Sequence, residues 1–272
     1  MSLLSTESLS VFLSPTELVL VRWRGIPRQI VEKRACPVTA INGNGWTGTV
    51  EAFANVLREF AGQRLRVILS SHFTHYQLMP WRDDLDDGEE ELAVAGLAFT
   101  ETFGDAAARW RIRLSDEKPG APRVAAAVEA ELLGAIEQAA AAAKTRLVSI
   151  QPYLAAAANR WRGHIDSRSS TWLVLHEDYR ASLALIEHGR WRWVRCVRVG
   201  ADWSECLPEL VEHEILLAGV AETPAEVLVF APANPAPAIR KDTRLPFRNL
   251  CLEARKGFSP AHESRFGFAL IG

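Results

Sequence analysis

The sequence lacks the features that mark several common classes of protein. It has four cysteines among 272 residues and no C-x-x-C pair, which is typical of reduced thiols in the cytoplasm. No apolar run approaches the ~20 residues that cross a bilayer, and no signal peptide is recognisable, so a cytoplasmic protein without direct membrane insertion is expected. Its 31 basic and 33 acidic residues nearly balance, which argues against dedicated nucleic-acid binding.

The sequence also contains no P-loop, no G-x-S-x-G elbow and no H-E-x-x-H motif. Gly43–Gly48 matches G-x-G-x-x-G, but it follows a meander, and the next strand ends in Ser70–His72 where a ribose-binding acid would stand. The acidic run Asp83–Glu91 lacks the alternating ligands of a calcium loop, and favours a helix start capped by Asp87. We therefore predict no catalytic residue and no metal site from motifs.

Two stretches about 160 residues apart share one pattern. Residues 9–38 and 171–199 each read as three short strands joined by tight turns. Each is followed by an amphipathic helix and then by an apolar strand. The helices are predicted at 49–61 and 203–219, and the strands at 65–70 and 226–230. The repetition predicts two related lobes, each built on a β-β-β-α-β unit.

The segments between and after the two copies do not repeat one another, and their elements are predicted one by one. Thr47 or Thr49 is expected to cap the first helix. Strands are predicted at 75–81, 106–114, 145–150, 247–252 and 266–271, and helices at 88–103, 123–143 and 152–162. The predicted domains are a first lobe over 1–150, with an inserted αβ subdomain at about 75–143, and a second lobe over 151–272.

With this order of elements, particular stretches resemble a known family. The helix QPYLAAAANRW, which passes from one predicted lobe to the next, is similar to the crossing helix of the actin-like (Hsp70/actin/sugar kinase) superfamily. VILSSHFTHYQLMPW, followed by GEEELAVAGL, resembles the inserted subdomain of PilM proteins of type IV pilus assembly and of the GspL cytoplasmic domain of type II secretion. The resemblance implies an α/β, actin-like (RNase H-like, duplicated) two-lobed fold with mixed sheets flanked by helices.

Nucleotide-binding members of the superfamily resemble one another in an Asp-x-Gly turn after the first strand of each lobe. The corresponding turns here, Leu13–Glu17 and Leu175–Tyr179, contain no glycine, and Pro15 removes an amide. Ala231–Asn234 stands where an adenosine-binding Gly-Gly turn would be. The resemblance thus implies no cofactor and a non-catalytic protein. If Mg-ATP does bind, three carboxylates remain as candidate ligands: Glu17, Glu177 and Asp178.

The narrower resemblance implies a scaffold in the cytoplasm, peripheral to the inner membrane through a partner whose cytoplasmic tail it binds. The implied groove is lined by Val67–Ser71, Gln77–Trp81 and the helix 88–103, where an extended peptide would gain backbone hydrogen bonds and side-chain pockets. The candidate partner-binding residues are Ser71, Gln77, Leu78, Met79 and Trp81. Two alternatives stay open: a divergent nucleotide-binding ATPase or kinase relative, and a self-assembling actin-like structural protein that forms dimers or filaments.

Overall fold

The structure is a computed structural model that describes residues 7–39, 45–85, 88–220, 224–232 and 244–272. The expected cap Asp87, the start of the Gly43–Gly48 motif and the end of Ala231–Asn234 lie outside these residues. The strands are β1 (Ser8–Leu13), β2 (Glu17–Arg24), β3 (Gln29–Pro37), β4 (Arg64–Leu69), β5 (His75–Met79), β6 (Trp110–Leu114), β7 (Arg123–Glu129), β8 (Arg146–Pro152), β9 (Ser170–Glu177), β10 (Arg180–Glu187), β11 (Arg190–Arg198), β12 (Glu226–Phe230) and β13 (Phe247–Asn249). The α-helices are α1 (Thr47–Leu57), α2 (Gly88–Phe103), α3 (Ala130–Ala142), α4 (Tyr153–Arg160), α5 (Leu207–Leu217), α6 (Pro260–Glu263) and α7 (Gly267–Leu270). Short 3₁₀ turns occupy Gly104–Arg109, Arg162–His164 and Ser264–Phe266.

The first sheet has the strand order β3-β2-β1-β4-β8. The meander β1-β2-β3 is antiparallel, whereas β4 and β8 run parallel to β1. The central strands β1 and β4 are buried over most of their length, which is expected of strands that are covered on both faces.

The second sheet repeats this arrangement, with the order β11-β10-β9-β12-β13 and the same strand directions. The repetition extends to a β-bulge near the end of the second strand. The register shifts between Arg22 and Trp23 in the first meander and between Leu185 and Ile186 in the second, each time after the sixth residue of the strand. The predicted duplication of a β-β-β-α-β unit is therefore confirmed.

A third, three-stranded sheet has the order β5-β7-β6. The helix α2 covers one face of it, where Ala95 and Phe99 are buried against the small side chains Ala125 and Ala127 of β7. The alanines of the middle strand let the helix approach the sheet closely, so this sheet and α2 share one apolar core.

The chain divides into two compact units. The first comprises residues up to Thr74, Glu129–Arg160 and Cys251–Gly272, and the second comprises His75–Val128 and Trp161–Leu250. The first unit contains the first sheet, and the second unit contains the other two sheets. These boundaries differ from the predicted division at residue 150, because α3 packs against α1 and because the C-terminal segment returns to the first sheet.

The predicted helix 123–143 is wrong in its first third, since Arg123–Glu129 forms the strand β7. The run RVAAAVE has the alanine content of a helix, but its residues Arg123 to Ala127 pair with β5. Backbone pairing and the burial of both faces here outweigh the local helix propensity. Only the stretch from Ala130 to Ala142 is helical.

The predicted strand 266–271 of the second lobe is also wrong. The stretch Gly267–Leu270 is the helix α7, and it lies in the first unit. There Phe268 stacks on Phe12 at 4.4 Å and contacts Tyr153 at 5.5 Å between ring centroids. Aromatic packing against β1 therefore fixes the conformation of a segment too short to carry a periodic signal.

Two smaller expectations concern α1 and the membrane. Neither Thr47 nor Thr49 caps α1, because the N-cap residue is Trp46 without a side-chain cap hydrogen bond, and the Thr49 hydroxyl donates instead to the Ser14 carbonyl at 2.9 Å. Among the described helices, none is both long and apolar enough to span a bilayer.

Candidate functional site

The turn between β1 and β2 is the first place where a nucleotide phosphate would be expected. Its backbone donors are already bonded within the turn: the amides of Glu17 and Thr16 donate to Ser14 Oγ at 3.0 and 3.4 Å. The Ser14 amide donates to the Glu17 carbonyl at 3.0 Å, and Pro15 has no N–H. The turn therefore presents a closed hydrogen-bond ring rather than the open amides that cradle phosphate.

The Glu17 carboxylate faces the C-terminal segment of the first unit, where it accepts a hydrogen bond from the Arg265 guanidinium. Its partner is thus an arginine of the protein itself. Across the described residues, no group of three or more His, Cys, Asp or Glu side chains has the geometry of a metal site.

The other two candidate carboxylates, Glu177 and Asp178, lie in the second unit. Glu177 ends β9 with only 2% of its surface exposed, and Asp178 with Tyr179 forms a two-residue hairpin loop that closes on Arg180. Tyr179 has a φ of 59°, a left-handed conformation that glycine would adopt without strain. A phosphate-binding turn would have a glycine at this position, because glycine lets the backbone approach the ligand. The hairpin has the side chain of Tyr179 there instead.

His176 precedes Glu177 in β9, so its side chain lies on the other face of the strand, and that face is tightly packed. His176 is 4% exposed and stacks on Trp203, with 3.9 Å between ring centroids and 11° between ring planes. This burial lowers the pKa of His176 to about 4, so the imidazole is neutral at physiological pH.

A different kind of site lies in the second unit, between α2 and the third sheet. It is an apolar cavity of about 140 Å³ at the carboxyl end of β5. Its lining residues are Met79, Pro80, Trp81, Arg82, Leu85, Glu91, Val94, Leu114 and Arg123. A concave, mainly apolar site with a few polar groups is the usual form of a binding pocket.

One hydrogen bond and one cation–π contact hold the indole of Trp81 in the wall of this cavity. Its Nε1 donates to Asp83 Oδ1 at 2.6 Å, and the Arg123 guanidinium lies 5.8 Å from the ring centroid on a cation–π contact. Arg123 is fixed in turn by Glu91, to which its Nη1 donates at 2.6 Å. The wall is therefore preorganised, which lowers the entropic cost of binding a partner.

The segment from Arg82 to Glu91 contributes Arg82, Leu85 and Glu91 to the lining of the cavity, and its sequence is strongly acidic. The segment Arg82–Glu91 contains seven carboxylates and one arginine. That arginine pairs with Asp84 at 2.5 Å, and its guanidinium holds the pKa of the Asp84 carboxyl below its usual value. The carboxylates of this segment that the structure describes are Asp83, Asp84, Glu89, Glu90 and Glu91.

The structure brings together only part of the predicted partner-binding set. Met79 and Trp81 line the cavity. Gln77 instead donates from Nε2 to the Ala98 carbonyl at 3.0 Å and to Thr102 Oγ1 at 2.6 Å, which ties β5 to α2. Leu78 lies on the face of β5 opposite to Met79, as strand alternation requires, and Ser71 is buried in the first unit.

Val94 belongs to the helix 88–103 that was expected to line the groove, but sequence reasoning missed four contributors to the cavity: Arg82, Leu85, Leu114 and Arg123. Leu85 was the one apolar residue in the acidic run, which was a usable signal. Arg123 could not be found, because its segment was predicted as the start of a helix. The predicted wall Val67–Ser71 belongs to the first unit and is not part of this lining.

Comparison with known proteins shows which folds this architecture resembles. No protein-family model and no curated protein sequence matches the chain. Among solved structures, PilM in the PilM–PilN type IV pilus biogenesis complex superposes with a TM-score of 0.61 at 13% identity, over 82% of this chain and 81% of that chain. The cytoplasmic domain of EpsL, an inner-membrane component of the type II secretion system of Vibrio cholerae, gives 0.61 at 11% identity, over 98% and 96%.

A third solved structure, a Bacteroides thetaiotaomicron protein of unknown function with an actin-like ATPase fold, gives a TM-score of 0.58 at 11% identity over 82% of this chain and 81% of that chain. With the duplicated sheets, these similarities show an actin-like, two-lobed α/β fold of mixed sheets flanked by helices. Within that class, the fold is of the PilM- and GspL-like kind.

Proposed function

We propose that the chain is a non-catalytic actin-like scaffold that binds the cytoplasmic tail of an inner-membrane protein, in an assembly platform of the type IV pilus or type II secretion kind. The apolar cavity, together with the acidic sequence of the segment Arg82–Glu91 that contributes to its lining, carries the proposal. The fold likeness to PilM and to the EpsL cytoplasmic domain supports the type of platform. In this role the protein works in the cytoplasm, at the inner membrane.

The β1–β2 turn supports the non-catalytic part of the proposal. A phosphate would have to displace the Ser14 hydroxyl from the amides of Thr16 and Glu17, and Pro15 could supply no replacement donor. The Glu17 carboxylate would also have to leave Arg265 before it could hold a magnesium ion. The site would thus lose existing hydrogen bonds for every contact that it gained with a nucleotide.

The cavity supports the choice of partner. Its size and its apolar wall of Met79, Trp81, Leu85, Val94 and Leu114 fit one or a few aliphatic anchor side chains. The acidic sequence Arg82–Glu91, which contributes Leu85 and Glu91 to the lining, favours a partner with lysine or arginine beside that anchor. Cytoplasmic segments next to a membrane span are enriched in these residues, so an inner-membrane tail has the matching chemistry.

The test is a binding assay on the full chain with synthetic peptides. We expect fluorescein-labelled cytoplasmic tails of single-span inner-membrane proteins from the same genome to include a tail that binds, with higher affinity at low salt. Val94→Glu places a charge in the cavity wall and should abolish that binding. Leu97→Glu is the matched control, because Leu97 lies on the same helix with 66% of its surface exposed.

Two other outcomes would overturn the proposal. If none of the tails binds and titration with Mg-ATP gives saturable heat that disappears in Glu17→Gln or Glu177→Gln, the chain is a divergent nucleotide-binding ATPase or kinase relative. If none binds and sedimentation velocity shows concentration-dependent dimers or filaments, it is a self-assembling structural protein.

A further inference from the structure

One end of the first unit combines an exposed isoleucine with a group of arginines. Ile26 forms the tip of the turn between β2 and β3, where 89% of its surface is exposed. It stands between Gly25, at a φ of 82°, and Pro27. A single exposed isoleucine needs no explanation by itself, but the charges around this one are unusual.

The arginines come from neighbouring elements of the first sheet. Arg28, just after the tip, donates to the Ser8 hydroxyl at the start of β1. Ser8 is the parallel neighbour of Arg64 on β4, and Arg64 is the parallel neighbour of Arg146 on β8. Adjacent strands lie about 4.8 Å apart, so these three arginines occupy neighbouring positions at one end of the sheet.

A fourth arginine, Arg66, follows two residues along β4 and therefore on the same face as Arg64. The ion pairs in this part of the sheet involve other arginines, such as Arg22 and Arg24 with Glu7. Among the described residues, no ion pair is formed by these four arginines: Arg28, Arg64, Arg66 and Arg146. Burial lowers the pKa of Arg28, and the nearby charges of Arg66 and Arg64 lower it further. Arg28 thus lies close enough to Arg64 and Arg66 for their like charges to act on it.

Arginine clusters of this kind bind phosphate, because the guanidinium fork matches two phosphate oxygens. Two sources of phosphate chemistry fit the charges: the headgroups of a bilayer and the backbone of a nucleic acid. The exposed Ile26 and Pro27 favour the bilayer, since an apolar tip gains free energy at the boundary between headgroups and acyl chains and gains none along a phosphate backbone in water.

We propose that this basic end, formed by Ile26, Arg28, Arg64, Arg66 and Arg146, docks on the anionic phospholipid surface of a bilayer with Ile26 inserted at the headgroup boundary. The contact is peripheral and reversible, because one apolar side chain and a few basic residues anchor a protein only weakly. The inference is independent of the proposed tail binding, and it goes beyond the expectation that membrane association runs through a partner alone.

Co-sedimentation of the purified full chain with vesicles tests the proposal. We expect binding to phosphatidylcholine vesicles that contain phosphatidylglycerol, and none to pure phosphatidylcholine. Added salt should weaken the binding, because the Debye length falls from about 30 Å at 0.01 M to about 8 Å at physiological ionic strength.

Two independent variants separate the charges from the apolar tip. Arg64→Gln with Arg146→Gln should weaken binding about 25-fold, since each basic residue near an anionic surface contributes about a factor of five. Arg109→Gln with Arg113→Gln removes two exposed charges from the second unit, and should leave binding unchanged. All four substituted side chains are exposed, so circular dichroism should show folded proteins.

The variant of the tip is Ile26→Ser, which should weaken binding to anionic vesicles about tenfold because an inserted isoleucine loses its apolar environment. Leu216→Ser is the control, at a side chain 78% exposed on α5. Failure of the wild-type chain to bind anionic vesicles at low salt would overturn the proposal. The proposal would also be overturned if the two control variants lost as much vesicle binding as the two test variants. The same holds if the chain bound duplex DNA as tightly as anionic vesicles and Ile26→Ser left vesicle binding unchanged.

Discussion

The Ser14 hydroxyl accepts a hydrogen bond from the backbone amide of Glu17 at 3.0 Å, and closes the β1–β2 turn on itself. It accepts a second one from the amide of Thr16 at 3.4 Å, and Ser14 as a whole is 2% exposed. Because the hydroxyl satisfies two partly buried backbone donors of the turn, Ser14 is a structural residue at the position where a nucleotide-binding relative would receive phosphate.

Replacing this serine should therefore destabilise the fold. We expect Ser14→Ala to lower the free energy of unfolding by about 1–2 kcal/mol, since the two amides lose their acceptor and water reaches them poorly. Urea denaturation measures the change. Ser167→Ala, at an exposed serine, should stay within about 0.5 kcal/mol of wild type. Equal stability of the two variants would show that the turn relaxes without cost.

A second prediction concerns Gly257, where the C-terminal segment crosses β3. Its φ is 87°, and a Cβ at this position would lie 2.4 Å from the carbonyl oxygen of Ile30. Gly257→Ala should therefore cost at least about 2 kcal/mol, part from the left-handed backbone and part from the clash with main chain. Hydrogen exchange over 251–272 should increase in the same variant, since the segment must move away from β3.

Gly62→Ala separates the two contributions. Gly62 has a φ of 79°, but nothing lies within 4 Å of the Cβ that alanine would add. Its replacement should cost about 1 kcal/mol, from the backbone conformation alone. If both variants lose the same stability, the close approach of Gly257 to Ile30 contributes nothing.

The repeated meanders were predictable because their signals are local. Alternating apolar residues and tight turns, such as His188-Gly189 between β10 and β11, specify an antiparallel meander within about 30 residues. The shared β-bulge after Arg22 and after Leu185 was not predictable, since it depends on the pairing of β2 with β3 and of β10 with β11.

The cavity was predictable only in part, for a physical reason. Met79 and Trp81 stand in a strand with a recognisable proline corner, whereas Arg123 enters the site because β7 pairs with β5. With two valines against three alanines, β7 carries only a weak strand signal of its own and depends on its pairing with β5 and its packing against α2. The long-range pairing that completes the site therefore leaves little trace in the local sequence.

A third prediction tests the buried carboxylate of Glu214 on α5. Only 1% of this residue is exposed, and its two oxygens accept hydrogen bonds from Trp193 Nε1 at 2.9 Å and Arg195 Nη1 at 3.0 Å. We expect Glu214→Ala to cost about 2–3 kcal/mol, because the buried indole N–H loses its acceptor, while the half-exposed guanidinium returns to water. Thermal or urea unfolding measures the effect.

Glu214→Gln refines this prediction, because it keeps one acceptor oxygen and removes the charge. It should cost less than the alanine variant, and the difference reports the hydrogen bond to Trp193. Glu212→Ala, at an exposed position of the same helix, should change stability by less than about 0.5 kcal/mol. A loss as large in that control would mean that the effect comes from the helix and not from the buried contacts.

The last prediction follows from the neutral imidazole of His176. Its pKa is about 4 in the folded chain because it is buried against Trp203, and about 6.5 when it is unfolded. Between these values the unfolded chain binds a proton that the folded chain excludes. The stability is therefore highest above about pH 6.5 and falls as the pH drops toward about 4, by up to about 3 kcal/mol.

His176→Phe keeps an aromatic ring on Trp203 but cannot titrate, so urea unfolding at about pH 7 and about pH 4.5 should show a smaller loss in the variant than in wild type. The same loss in both proteins would mean that the folded chain accepts the proton, and that burial does not hold this imidazole neutral.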